Sequence, residues 1–252
     1  MAFAHGRNAG ALVAQYNATA WLNSLEVART AQAAETTTFG STAKTYISGN
    51  TDATISASGF WDGDAGQLDL VLTGIMDAGN LVPYTWCPQG ITVSAPAQVM
   101  VGVNTEYGVS TPVGGVVAAK LSAQVSDGAY WGKVLNGTAS ITGTVTGTTQ
   151  DAGASGVTTN GGRVNIHATL NSRSTSIDVK LQHSTDGSTW VDVSGGQQTV
   201  PAGVAVTGSA PYGQPTSYSL KVSGTINRYT RVLITPTAGT GSAIITVAFA
   251  RY

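Results

Sequence analysis

Charge is scarce in this chain. Only 10% of its 252 residues are Asp, Glu, Lys or Arg, and the net charge is −1, whereas an ordinary soluble domain carries roughly 25% charged residues. A free monomer so weakly charged lacks the repulsion that keeps proteins apart in solution. Much of its surface is therefore expected to lie against neighbouring subunits. Cys87 is the sole cysteine, which excludes an intramolecular disulfide and a thiolate zinc site within the chain; it reads as a small apolar filler between Trp86 and Pro88. No apolar run approaches the ~18 residues of a membrane span. The opening Met1-Ala2-Phe3-Ala4-His5-Gly6-Arg7 lacks the charged and then apolar order of a secretion signal. The expectation is a protein made in the cytosol, neither membrane-embedded nor conventionally secreted.

Catalytic and ligand motifs are equally thin. The three histidines, His5, His167 and His183, show no i, i+4 pairing on a predicted helix and no adjacent carboxylate of the kind a metal site needs. His167 and His183 read as ordinary strand residues, His167 on the polar face of its strand. No Gly-x-Ser-x-Gly nucleophile elbow occurs. Gly128-Ala-Tyr-Trp-Gly132-Lys133-Val134 has one residue too few between its glycines for a phosphate loop, and Val134 stands where a magnesium-binding hydroxyl belongs; it reads as a turn. Asp62-Gly63-Asp64-Ala65-Gly66 opens like a calcium loop but lacks a third acidic ligand, and the closing position holds Thr73 in place of Glu. It reads as a turn leading into a helix cap. The expectation is a non-enzymatic protein with no catalytic residues, metal or cofactor.

Charge is also unevenly placed. Residues 1–137 carry 5 Lys/Arg and 9 Asp/Glu, giving −4, and residues 138–252 carry 7 and 4, giving +3. An acidic half disfavours phosphate, and the basic half has no Lys/Arg cluster to follow a nucleic-acid backbone. Tight DNA binding is not expected.

What the chain does have is alternation with period two, the mark of half-buried strands. Val164, Ile166, Ala168 and Leu170 alternate with polar residues, as do Ile177, Val179 and Leu181. Further strands are predicted at Tyr218–Val222, Tyr229–Thr235 and Ala243–Ala250. In the first half they fall near Ala11–Tyr16, Leu25–Thr30, Thr36–Phe39, Thr51–Trp61, Leu81–Trp86, Ala97–Tyr107 and Val116–Val125. One short amphipathic helix interrupts them, with Leu68, Val71, Leu72 and Ile75 on one face, Asp64 as N-cap and Gly79 as C-cap. The Thr/Gly-rich stretch 136–162 contains no Lys or Arg and suggests a boundary, with one β domain over 1–137 and a β-sandwich over 138–252. The fold class is mainly β.

His183-Ser184-Thr185-Asp186-Gly187-Ser188-Thr189-Trp190 carries a hairpin signal, an Asp-Gly turn between two apolar alternations. It is similar to the Ser-x-Asp-Gly-x-x-Trp hairpin of discoidin-like and other carbohydrate-binding sandwiches. That likeness makes Asp186 and Trp190 candidate glycan contacts, beside the plainer reading of an architectural hairpin with a core Trp.

Residues 35–62 carry the most specific pattern: Glu35-Thr36-Thr37-Thr38-Phe39-Gly40, then Lys44-Thr45-Tyr46, then Gly59-Phe60-Trp61-Asp62. This segment resembles the major tail tube proteins of long-tailed, siphovirus-type bacteriophages, over roughly the first half of the chain. The resemblance implies a tail-tube-type β-sandwich or barrel with one flanking helix, followed by a C-terminal sandwich on the exterior. It also implies a virion tail protein, made in the bacterial cytoplasm, that assembles with itself into rings, hexamers favoured over trimers. The rings stack into a tube that meets other tail proteins and lets DNA pass without specific binding. Thr37, Phe39, Lys44 and Tyr46 become candidate subunit contacts, while Phe60 and Trp61 are assigned to packing. The alternatives are a virion decoration protein or a surface carbohydrate-binding sandwich.

Overall fold

The computed structural model describes residues 6–63, 68–202, 204–205 and 217–252. The first half contains β1 (Gly10–Val13), β2 (Tyr16–Asn17), β3 (Leu22–Glu35), β4 (Tyr46–Phe60), α1 (Leu68–Ala78), β5 (Val82–Cys87), β6 (Pro96–Ser110) and β7 (Ala118–Asn136). The second half adds the short β8 (Ser140–Ile141), β9 (Val145–Thr146) and β10 (Gln150–Asp151), then β11 (Gly162–Asn171), β12 (Ile177–Ser184) and β13 (Val191–Val200). It closes with β14 (Val204–Ala205), β15 (Ser217–Val222), β16 (Tyr229–Pro236) and β17 (Ala243–Arg251). The protein is mainly β, with large antiparallel sheets and one α-helix among the described residues.

Strand β7 organises the larger sheet. One edge pairs with β6 along most of its length. The other edge is shared: Ala118–Gln124 pair with β4, and Gly132–Asn136 pair with β17. The sheet therefore forks, with β4 and β3 on one branch and β17, β11, β14 and β15 on the other. At the fork Asp127 and Gly128 both take left-handed backbone, φ 60° and 84°, and the register with β6 slips. The stretch read from sequence as a turn with a near-miss phosphate loop is thus a kink inside one long strand. The sheet also runs without a break across position 137, because β17 pairs with β7.

Among the described residues, two large cores flank this sheet, beside a smaller cluster of Cys87, Ala97, Val99, Val134, Ala248 and Ala250. In the first, Ala53, Ile55 and Ala57 of β4, Leu121 and Ala123 of β7, Met100 and Tyr84 meet Val71, Leu72 and Ile75 of α1. Fully burying side chains such as Leu72 and Ile75 contributes roughly 2 kcal/mol each. Gly79, at φ 60°, ends the helix and donates its N–H to the Met76 carbonyl at 3.2 Å, as its sequence position implied. The expected N-cap Asp64 and the side chain of Leu68 lie outside the described residues. In the second core, Val164, Ile166, Ile245 and Val247 of the large sheet face Val179, Leu181, Val193, Val232 and Ile234. These belong to the smaller sheet, ordered β10-β16-β12-β13, and the two layers form a β-sandwich.

Strand β11 departs from the expected one wet face. Arg163, Asn165 and His167, the polar side of its alternation, are buried. They pack onto the first half of the chain, where the Asn165 amide donates to the carbonyls of Tyr84 and Met100 at 2.9 and 2.8 Å. His167 sits between Thr85 Oγ1 and the Ala14 carbonyl. Polar groups bury without loss only where such partners exist.

Candidate functional site

The longest feature outside both cores is a two-stranded ribbon. Strands β3 and β4 continue pairing past the sheet through Thr30↔Asp52, Ala31↔Thr51, Ala33↔Ser48, Ala34↔Ile47 and Glu35↔Tyr46. Every residue from 29 to 52 is exposed. Seven residues of strand beyond the sheet reach about 20 Å at the usual rise. The expected strand at Thr36–Phe39 is absent; this segment belongs to the loop that closes the ribbon, because cross-strand pairing ends at Glu35↔Tyr46.

Local polar bonds shape that loop. The Thr36 N–H donates to the Thr45 carbonyl at 2.8 Å, the Thr45 N–H to Thr37 Oγ1 at 3.2 Å, and the Ser41 N–H to the Thr38 carbonyl at 3.0 Å. Lys44 Nζ pairs with Glu35 at 3.1 Å. Hydroxyls and main chain bonding one another hold the turn without any apolar core. Thr37, Phe39, Lys44 and Tyr46 are brought together here. Phe39 projects fully into solvent, and Tyr46 and the adjacent Ile47 are 56% and 58% exposed.

A second apolar patch lies at the opposite end of the same strands. Phe60 pairs with Ala118, which pairs with Ser110, so the end of β4 abuts the β6–β7 loop. Trp61 donates its N–H to the Val117 carbonyl at 3.1 Å. Phe60 and Trp61, assigned to packing from sequence, are 48% and 40% exposed, and Val113 and Val116 of the adjoining β6–β7 loop are exposed as well. The β4 side chains facing the core are small (Ala53, Ala57, Gly59) apart from Ile55, and Phe60 alternates to the other face. Gly59 is required at its position: a Cβ there would meet the Trp21 carbonyl oxygen at 2.0 Å.

Between these ends, the solvent face of the branch is hydroxylated and acidic. Glu26, Ser56, Ser122 and Glu106 form one row across β3, β4, β7 and β6. Ser24, Ser58 and Lys120 form the next, and Asp52 accepts from the Gln124 amide. Lys120 and Ser122 both donate to Glu106 at 3.1 Å, holding its carboxyl below the usual carboxylate range. Among the described residues the face thus carries Glu26, Asp52 and Glu106 against the ammonium of Lys120. The outer edge of β3, fourteen residues long, pairs with no strand among the described residues.

The other candidate contacts sit in the β12–β13 hairpin. Asp186 accepts from the N–H groups of Ser188 and Thr189 at 2.8 Å and from Ser184 Oγ at 2.8 Å. These bonds lower its pKa far below the usual range. The Arg231 guanidinium lies 4.1 Å from the Trp190 ring centroid. Both residues are engaged within their own sandwich. Among the described residues no group of three His, Cys, Asp or Glu side chains could hold a metal, and no helix is long and apolar enough to cross a membrane.

Sequence reasoning passed over Trp131 and Lys133, which neighbour each other on one face of β7 and are exposed. Their alternation was the available signal, obscured by Gly128 and by Gly132 between them.

No protein-family model and no curated protein matches the chain. Among solved structures it is similar to a chain from the virion of a native gene transfer agent particle, at 17% identity and a TM-score of 0.42, covering 50% of this chain and 97% of that one. A chain from the tail of an empty gene transfer agent particle with C6 symmetry gives 13% identity and a TM-score of 0.37, over 43% of this chain and 80% of that one. The Dit protein of phage SPP1, described as a paradigm of the hub adsorption apparatus in phages infecting Gram-positive bacteria, gives 15% and 0.35, over 96% and 98%. These neighbours are components of phage or gene-transfer-agent particles, from the virion, the tail and the adsorption hub.

Proposed function

We propose that this chain is a structural subunit of a phage-type tail and assembles with copies of itself into stacked rings around a channel for DNA. The observation that carries this reading is the ribbon, whose residues 29–52 are all exposed and whose tip presents Phe39 to solvent. Within one chain such an arm has nothing to bury; against a neighbour it gains apolar contact and strand pairing. The ribbon tip and the Phe60–Val113 patch lie at opposite ends of the strands. Contact between two different patches is head-to-tail, which closes into rings or extends into filaments. The free β3 edge supports sheet continuity between neighbours.

The Ser/Thr-rich face with Glu26, Asp52 and Glu106 is the proposed channel lining. Net negative charge there repels phosphates, and short hydroxyl side chains leave a smooth wall. One ribbon per chain, among the described residues, supports six chains per ring over three. Negative-stain microscopy with light scattering across a concentration series tests the proposal. Rings or tubes of uniform width are expected; a monomer at every concentration and salt level refutes it.

A further inference from the structure

Trp86, Gln98 and Trp131 stand side by side on β5, β6 and β7. The two indole rings are 5.9 Å apart at 48°, so Trp86 backs Trp131, whose own surface stays 52% exposed. Two residues along β7, Lys133 points to the same face. Beside them a cleft of about 290 Å³ separates the large sheet from the β10–β16 edge of the smaller one. Trp131, Lys133, Phe249 and Arg251 line one side, and Asp151 and Thr230 the other.

The charges in this cleft are not equally committed. Asp151 accepts two bonds from Arg228, at 2.7 and 2.6 Å, and one from the Gly153 N–H at 2.7 Å, which hold it ionised. Arg251 donates to the carbonyls of Ile226 and Arg228 at 3.2 and 3.1 Å. Lys133 makes no ion pair within 4 Å among the described residues, and its charge acts on Asp151 across the cleft. With Asp151 and Arg228 cancelling, Lys133 and Arg251 leave the cleft positive in a protein of net charge −1.

A backed, open indole next to an exposed ammonium that no carboxylate holds in direct contact is a two-part recognition surface. The indole face accepts the C–H face of a sugar ring, and the ammonium accepts an anion. A neutral sugar leaves Lys133 unused, and a simple phosphate leaves the indole unused. We propose that this cleft binds a pyranose ring bearing an anionic substituent, with Trp131 stacking on the ring and Lys133 receiving the charge. The site lies outside the ribbon and the channel face, so it stands independently of the assembly reading. It differs also from the Asp186–Trp190 hairpin, whose groups are already engaged.

Titration of the full-length protein by calorimetry, with tryptophan fluorescence in parallel, tests this with four probes: glucuronate, glucose 6-phosphate, glucose and adenosine monophosphate. The first two separate a carboxylate from a phosphate source of charge. Saturable binding of at least one acidic sugar is expected, about tenfold or more tighter than glucose. Trp131→Ala should weaken it by about tenfold or more, and Lys133→Gln should erase the preference for acidic over neutral sugar. Lys133 is exposed, so the second variant tests the site without threatening the fold. No saturable binding of either acidic sugar overturns the proposal. So does tighter binding of adenosine monophosphate than of both acidic sugars, or unchanged sugar binding in Trp131→Ala accompanied by a changed oligomeric state, which would make Trp131 a subunit contact.

Discussion

His167 Nδ1 lies 2.6 Å from the carbonyl oxygen of Ala14, 153 positions earlier in the chain. A carbonyl only accepts, so Nδ1 carries the proton and Nε2 accepts from the Thr85 hydroxyl at 2.8 Å. The Asn165 amide nitrogen, whose two hydrogens go to the Tyr84 and Met100 carbonyls, also lies 3.2 Å from that hydroxyl oxygen, so the hydroxyl hydrogen points to the imidazole. The neutral ring is satisfied on both sides.

Burial pushes the His167 pKa down to about 4. The unfolded chain, with a histidine pKa near 6.5, binds this proton first, so stability is fully present above pH ~6.5 and falls as pH drops towards ~4. The loss from this group amounts to about 3 kcal/mol across that window. His183, also depressed by burial, adds to the slope in the same direction. Urea melts of the wild type and of His167→Asn at several pH values check this. The variant should be less stable near neutrality and should lose most of the dependence between pH ~4.5 and ~6.5; a wild type with flat stability there would contradict the assignment.

The period-two pattern made β11 legible as a strand but not the burial of its polar side. Arg163, Asn165 and His167 read as solvent-facing because their partners, Asp127, Tyr84, Thr85 and Ala14, come from 36 to 153 positions away. Local alternation reports local faces only. The ribbon was half legible for a related reason: Leu25–Thr30 and Thr51–Trp61 alternate, whereas Ala31 to Glu35 do not. Pairing there rests on main-chain bonds without a buried face, which composition cannot signal. The residues of the tip drew notice because their Thr-rich pattern was unusual, and the strand through Trp131 was read as a turn because of Gly128 and Gly132.

Gly132 marks where β7 and β17 come closest. A Cβ at this position would lie 2.0 Å from the Phe249 carbonyl oxygen and 2.6 Å from the Ala250 Cα, both main-chain atoms that cannot rotate away. Gly132→Ala should therefore cost about 3 kcal/mol or more. Gly108, on β6 within the same sheet, has nothing within 4 Å of a built Cβ. Gly108→Ala should change stability by less than about 1 kcal/mol. Thermal melts of the two variants against wild type separate close approach from a general intolerance of side chains.

Arg173 staples the end of the second sandwich. Its guanidinium is buried and donates to the carbonyls of Thr142 and Gly241 at 3.0 Å, of Gly239 at 2.8 Å and of Thr237 at 3.3 Å. Lysine offers a single nitrogen on a different stem and cannot span this fork. Arg173→Lys should cost about 3 kcal/mol, because carbonyls and charge are left buried with fewer partners. Hydrogen exchange should show the loss first around residues 237–242. Protection there equal to wild type would mean that the loop holds itself.

Phe39 separates assembly from folding most cleanly. It belongs to none of the three buried clusters, its ring is fully exposed, and the loop around it is held by Thr36, Thr37, Thr38, Ser41 and Thr45. Removing the ring should leave the melting temperature within about 2 °C of wild type. If the tip seats in a neighbour, the same change removes an aromatic anchor worth about 2 kcal/mol or more, raising the concentration needed for assembly by roughly 30-fold. The Glu35–Lys44 pair next to it is exposed on both sides, so Lys44→Ala should cost less than about 1 kcal/mol in the monomer. Sedimentation velocity on Phe39→Ala and Lys44→Ala across a concentration series measures both effects. Assembly of Phe39→Ala at wild-type concentrations would remove the tip from the contact and leave the Phe60–Val113 patch and the β3 edge to be tested in its place.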